Sequence, residues 1–122
     1  MERVLGIGGM FFRAKDPEGL AAWYQEHLGI DPVPQDAGGE PWVQEAGPTV
    51  FSPFAIDTDY FGRPEQQWML NFRVRDLDSM LDQLRAAGAS VDEDTHELEG
   101  IGRFGWAADP EGNRFELWEP TA

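Results

Sequence analysis

The side chains of this 122-residue sequence that invite chemistry are Glu116, Ser52, the pair His96 and Glu99, and two arginines sixty residues apart, Arg13 and Arg73. A carboxylate among apolar neighbours can serve as a general base, because desolvation raises its pKa, whereas an adjacent arginine lowers it. Glu116 is the candidate for such a catalytic role. His96, in the run Asp94-Thr95-His96-Glu97-Leu98-Glu99, has carboxylates on both sides, so His96, Glu99 and Glu116 form one candidate set for a divalent cation. Arg13 and Arg73 present planar donors for a carboxylate or phosphate, or else they pair with Glu116 and surface acids. His27, near a helix end, suits the helix dipole and is read as structural. Trp42, Trp68 and Trp118 can stack on a flat or cationic ligand, or simply pack. There is no cysteine, which removes disulfides, thiolate nucleophiles and Cys-based metal clusters.

The elements that must position these groups follow from a repeat. Phe12-Arg13-Ala14-Lys15-Asp16 returns as Phe72-Arg73-Val74-Arg75-Asp76, and in each copy an alternating stretch runs into an Asp, an amphipathic helix and a glycine. In the first copy Asp16 caps, Pro17 suits the first turn, Leu20, Trp23, Tyr24 and Leu28 form the stripe, and Gly29 stops the helix. In the second, Asp76 caps, Leu77, Met80, Leu81 and Leu84 form the stripe, and Gly88 ends it. Before each helix the alternation predicts a strand, with Met10 and Phe12, or Leu70, Phe72 and Val74, facing the helices. Further strands are expected over 42–46 and 49–56, and over 103–108 and 114–119, with weaker ones near 32–34 and 90–95. Turn chemistry lies at Gly47-Pro48 and at Asp109 to Asn113, and the polar segment 57–67 is the linker. Tyr60 and Phe61 in that linker could form a lid or cover a sheet edge.

Composition sets the bounds. The length suits one domain, 1–122, with a first module over 1–60 and a second over 61–122, and 41% hydrophobic residues suffice for a core. Nine Lys and Arg against 23 Asp and Glu give a net charge of −14, which would repel nucleic acid and anionic membranes. Neither a signal-like leader nor a run of apolar residues long enough to span a bilayer is visible, so a cytoplasmic location is expected.

The ending Asp109-Pro110-Glu111-Gly112-Asn113-Arg114-Phe115-Glu116-Leu117-Trp118 closely resembles the final hairpin of the vicinal oxygen chelate superfamily of glyoxalases, bleomycin-resistance proteins and extradiol dioxygenases. Ala22-Trp23-Tyr24-Gln25-Glu26-His27-Leu28-Gly29 resembles its first helix, and Arg75 to Asp78 with Leu84 to Gly88 its second. The resemblance implies an α+β fold of two tandem βαβββ modules whose curved mixed sheet closes into a cup for a small molecule. It also implies metal ligands at four related places, occupied here by Gly9, Ser52, Met69 and Glu116. Glycine and methionine cannot hold a hard cation, and a catalytic site normally needs about three protein ligands.

With that alternation, the first module sends Phe11, Arg13, Ser52 and Phe54 into the cup. The second sends Met69, Asn71, Arg73, Arg114, Glu116 and Trp118, with Arg103, Phe104 and Trp106 at the rim. The leading expectation is a metal-independent protein that binds a small organic molecule in this cup, as a sequestering protein or as an enzyme, with no cofactor predicted. Two alternatives stay open: a metal-dependent lyase, isomerase or dioxygenase using the displaced set His96, Glu99 and Glu116, and a drug-sequestering resistance protein. The resemblance further implies a homodimer.

Overall fold

A computed structural model describes all residues, 1–122. Helix α1 runs Pro17–Leu28, with the Asp16 side chain accepting from the Gly19 amide at 3.0 Å and Gly29 closing it in the left-handed region at φ 71°. Helix α2 runs Leu77–Ala86, and Asp76 accepts from the Ser79 amide, also at 3.0 Å. The two caps stand sixty residues apart and use the same bond, so this part of the repeat is real in three dimensions. Gly88, at φ 82°, turns the chain after α2.

The strands are β1 (Leu70–Arg73), β2 (Ser90–Val91), β3 (His96–Leu98), β4 (Gly102–Ala108) and β5 (Arg114–Pro120). They form one mixed, open sheet in the order β1-β5-β4-β2, with β3 also paired to β4. β1 runs parallel to β5 and the other pairings are antiparallel. The molecule is therefore α+β, with both helices on one face of this sheet.

The pleat decides what each face carries. Leu70, Phe72 and Val74, with Phe115, Leu117 and Ala107, point to the helices, as their alternation predicts. They meet Leu20 and Tyr24 of α1 and Leu77, Leu81 and Leu84 of α2 in a single core. Gly105 permits the approach of α2, since a Cβ there would lie 3.2 Å from both methyls of Leu81. Gln83 of α2 donates to the His27 carbonyl at 2.7 Å and joins the two helices at their ends.

The first half departs from expectation. Residues 9–13, 32–34, 42–46 and 49–56 form no ladder, and α1 is the half's one regular element. Met10 is half-buried and Phe12 is exposed rather than packed in the core. Hydrophobic alternation registered the side chains of these segments but not their missing backbone donors. Pro32, Pro34, Pro41, Pro48 and Pro53 each lack an amide, and Gly8, Gly9 and Gly47 loosen the remainder. Of the stretch expected over 90–95 only Ser90–Val91 pairs, with Ala107 and Ala108, and a further strand follows it at His96–Leu98, paired further along β4.

The turn between β4 and β5 is fastened by the buried carboxylate of Asp109. Its Oδ1 accepts from the amides of Glu111 at 2.8 Å and Asn113 at 3.0 Å, and its Oδ2 from the Asn113 side chain at 2.8 Å and the Tyr24 hydroxyl at 2.7 Å. Glu111 in turn accepts from the amides of Lys15 and Asp16, tying the start of α1 to the same turn. Replacing Asp109 by Ala leaves several buried donors without acceptors and should lower unfolding stability by about 3–4 kcal/mol, while Tyr24→Phe should cost about 1–2 kcal/mol. Urea denaturation of the two variants measures both. Equal losses would contradict this account of the turn.

Candidate functional site

On the sheet face opposite the helices, Asn71 of β1, Trp106 of β4 and Glu116 of β5 come side by side, because Asn71 pairs with Glu116 and Trp106 with Glu116 across the strands. The carboxylate is the centre of this group. Its Oε1 accepts from Asn71 Nδ2 at 2.5 Å, and its Oε2 accepts from Trp106 Nε1 at 3.1 Å and from the Tyr60 hydroxyl. Trp106 Nε1 also lies 3.1 Å from the Tyr60 oxygen. Phe54 stacks on the Tyr60 ring, with centroids 5.4 Å apart and planes 2° from parallel, and Phe61 packs at 5.2 Å from Phe54. The result is a carboxylate held by neutral donors beneath an aromatic wall.

Tyr60 reaches this place because the linker is fastened to β5. The Gln66 side chain donates to the Arg114 carbonyl at 2.7 Å and accepts from the Arg114 amide at 2.8 Å, acting as one rung of a ladder. Arg63 adds a bond to Asn113 Oδ1 at 3.0 Å. Arg114 holds the Tyr60 carbonyl through Nε at 3.2 Å, pairs with both oxygens of Asp92, and lies 5.7 Å above the Trp106 ring. Sequence reasoning read Tyr60 as part of a lid or as the cover of a sheet edge, without connecting it to Glu116. It passed over Asp92 and Gln66 altogether. The signals were weak, since both partnerships join residues far apart in the chain.

Burial first, and then the hydrogen bond to Glu116 and its charge, push the Tyr60 phenol up to about 12, against lowering by Trp106 and Arg114. Tyr24 is also raised, by burial and then by Asp109. Tyr60 is thus a neutral donor at physiological pH.

Among the other expected site residues, Arg73 turns to the Glu45 carbonyl at 3.0 Å, Met69 is half-buried, and Ser52 is exposed. Trp118 is 7% exposed, stacks on Phe104 at 6.0 Å and donates to the Ile101 carbonyl, so it packs the far end of the face. Arg103 does not line the rim. Odd-numbered residues of β4 around it face the helices, and it makes a two-pronged bond to Asp78 of α2 at 2.9 and 3.2 Å. Phe11 and Arg13 are likewise separated from Glu116. They line a cleft of about 430 Å³ on the helix side, with Tyr24 and Phe115 at its floor. His27 packs against Trp23 at 5.4 Å, in keeping with a structural role.

A divalent cation does not fit the donor set present. Gly9 and Met69 offer no hard donor, Ser52 is exposed, and both oxygens of Glu116 already accept from neutral groups. His96, Glu99 and Glu116 are not gathered either, for no three His, Asp or Glu side chains come together as a cation site. His96 lies on β3 opposite Phe104 and is exposed. No helix is long and apolar enough to cross a membrane.

The sheet order and the hairpin from β4 to β5 define a class, and comparison agrees with it. Residues 9–118 match the model of the glyoxalase-like domain, and the chain belongs to that family. Three crystal structures show the likeness of fold. TnmS3, an antibiotic binding protein from Streptomyces sp. CB03234, is 24% identical over 88% of each chain, with a TM-score of 0.54. A glyoxylase/bleomycin resistance protein/dioxygenase domain from Frankia sp. EAN1pec is 18% identical over 98% of this chain and 100% of that one, with a TM-score of 0.63. Lactoylglutathione lyase from Agrobacterium tumefaciens is 18% identical over 97% and 96%, with a TM-score of 0.60. No curated protein matches the sequence.

The chain has two tyrosines, and both titrate high, which gives a direct test. A phenol whose pKa rises on folding contributes stability that is whole below its unfolded value of 10.0 and is lost as pH climbs through about 12. Between those limits the native chain should show little phenolate absorbance while the urea-unfolded chain shows both tyrosines ionising. Tyr60 should be the first to ionise in the native state, and Tyr60→Phe should remove that step.

Proposed function

We propose that the chain is a metal-independent binder of a small organic molecule, which it captures in the cup around Glu116, between halves related by the repeat (1–60 and 61–122). The observation that carries this reading is the state of Glu116. Of the four places where the superfamily resemblance implies metal ligands, it alone keeps a strong donor, and that donor is taken up by Tyr60, Trp106 and Asn71. A carboxylate so held orders Tyr60, Trp106 and, through Tyr60, Phe54 into a wall with polar groups at its base. Apolar walls with a few convergent polar groups are how small-molecule sites are built. The fold is shared with an antibiotic binding protein, which agrees with capture, including of a drug, and with a lyase, so the reading rests on Glu116.

Equilibrium dialysis of metal-stripped protein against zinc, nickel, manganese and ferrous iron should yield no tight equivalent per chain. One tight equivalent, lost in Glu116→Gln, would replace this reading with a metal-dependent lyase, isomerase or dioxygenase. In a thermal-shift screen of organic compounds run with and without these metals, stabilising compounds should act without metal, and Glu116→Gln should weaken them.

The exposed apolar side chains of the first half support a homodimer. Val4, Leu5, Val43, Val50, Phe51 and Ile56 are all at least 68% exposed, and β1 leaves one edge of the sheet unpaired. Light scattering should therefore give twice the 13.7 kDa chain mass. A value for one chain would contradict the assembly.

A further inference from the structure

The cleft of about 430 Å³ on the helix side of the sheet is lined without Glu116, Tyr60 or Trp106 and has a different chemistry. Its size lies within the range of about 300–1,000 Å³ usual for small-molecule sites. Its walls are Phe11, Phe12 and Trp68, of which Phe11 is 94% and Trp68 70% exposed. Aromatic rings so placed in a concavity gain by covering one another's faces with a flat ligand.

The charges in the cleft are the informative part. Arg13, Arg63 and Arg114 line it, against one acid, Glu65. Arg114 is committed to Asp92, and the chain's remaining ion pairs are made by His27, Arg75, Arg85 and Arg103. Neither Arg13 nor Arg63 has a carboxylate at ion-pair distance, in a chain with 23 acids to choose from. Arg63 spends one donor on Asn113 and keeps the others. A guanidinium with free donors beside an aromatic wall suits a carboxylate carried on a ring.

The net charge of −14 opposes an anion at long range. At physiological salt, however, charges beyond about 8 Å are largely screened, so an anion in the cleft meets chiefly the nearby groups, of which Glu65 is the one acid. Local contact therefore outweighs the global field.

We propose that this cleft is a second binding site, specific for planar aromatic carboxylates, with the ring on Phe11 and Trp68 and the carboxylate on Arg13 and Arg63. Its lining shares Arg63, Gln66 and Arg114 with the anchoring of the linker but includes none of Glu116, Tyr60 and Trp106.

Calorimetry of the full chain with naphthoate and with its uncharged amide, naphthamide, tests it. Naphthoate should bind at least about tenfold more tightly than naphthamide, and Arg13→Gln should remove about tenfold of that affinity without changing the melting temperature. Arg63→Gln should act in the same direction. Arg75→Gln makes the same charge change on an exposed arginine outside the cleft and should leave naphthoate affinity within about twofold. Absence of naphthoate binding, equal binding of the amide, or equal losses in Arg13→Gln and Arg75→Gln would each overturn the proposal.

Discussion

The register of one hairpin decides what both faces of the sheet present. β4 and β5 are joined by a turn in which Asp109 accepts four hydrogen bonds from three residues, and this fixes Trp106 opposite Glu116 and Ala107 opposite Phe115. A slip of one residue would send Glu116 into the leucines of α2 and Phe115 into the cup, because strand side chains alternate with a period of two. A carboxylate transferred to that core without a partner would cost several kcal/mol, more than a domain of this size can readily lose. Asp109 thus protects the site without belonging to it.

The same turn also explains how a helix from the first half packs on a sheet from the second. Tyr24 bonds to Asp109 while its ring lies 6.2 Å from Phe72 and Phe115, and Glu111 receives the amides that precede α1. Polar bonds fix the entry of the helix, and the aromatic cluster with Leu20 supplies the burial. Every buried side-chain polar atom has a partner, so the arrangement carries no hidden desolvation cost.

What could be read in the sequence was what short-range chemistry determines. Asp16 and Asp76 cap because a carboxylate three residues before an amide can do so without help from the rest of the chain. The face on which Asn71 and Glu116 lie followed from alternation, as did the core face of Leu70, Phe72 and Val74. Alternation failed where the backbone could not pair, as in the proline-interrupted stretches of the first half. It was not applied at Arg103, expected at the rim, whose odd position places it with Gly105 and Ala107 toward α2. Contacts between distant residues, Tyr60 with Glu116 and Arg114 with Asp92, leave no periodic trace. They depend on how the Gln66 side chain docks the linker onto the start of β5.

That docking gives the linker a function that its composition conceals. Residues 57–67 are polar and contain Gly62 and Pro64, which reads as a spacer. Held at Arg63, Gln66 and Tyr60, the segment instead lies against β5, and its anchors are the Glu116 side chain, the Arg114 backbone and the Asn113 side chain of the turn before β5. Glu116 then acts at two levels, since it accepts from Asn71 and Trp106 within the sheet and from Tyr60 outside it. Withdrawal of that carboxylate would remove the acceptor of the Tyr60 hydroxyl, which helps to orient the ring stacked on Phe54. An acceptor that joins sheet to linker is bound by a geometry different from that of a cation ligand, whose oxygens must converge with two or three other donors on one point. Here the donors converge on the carboxylate instead.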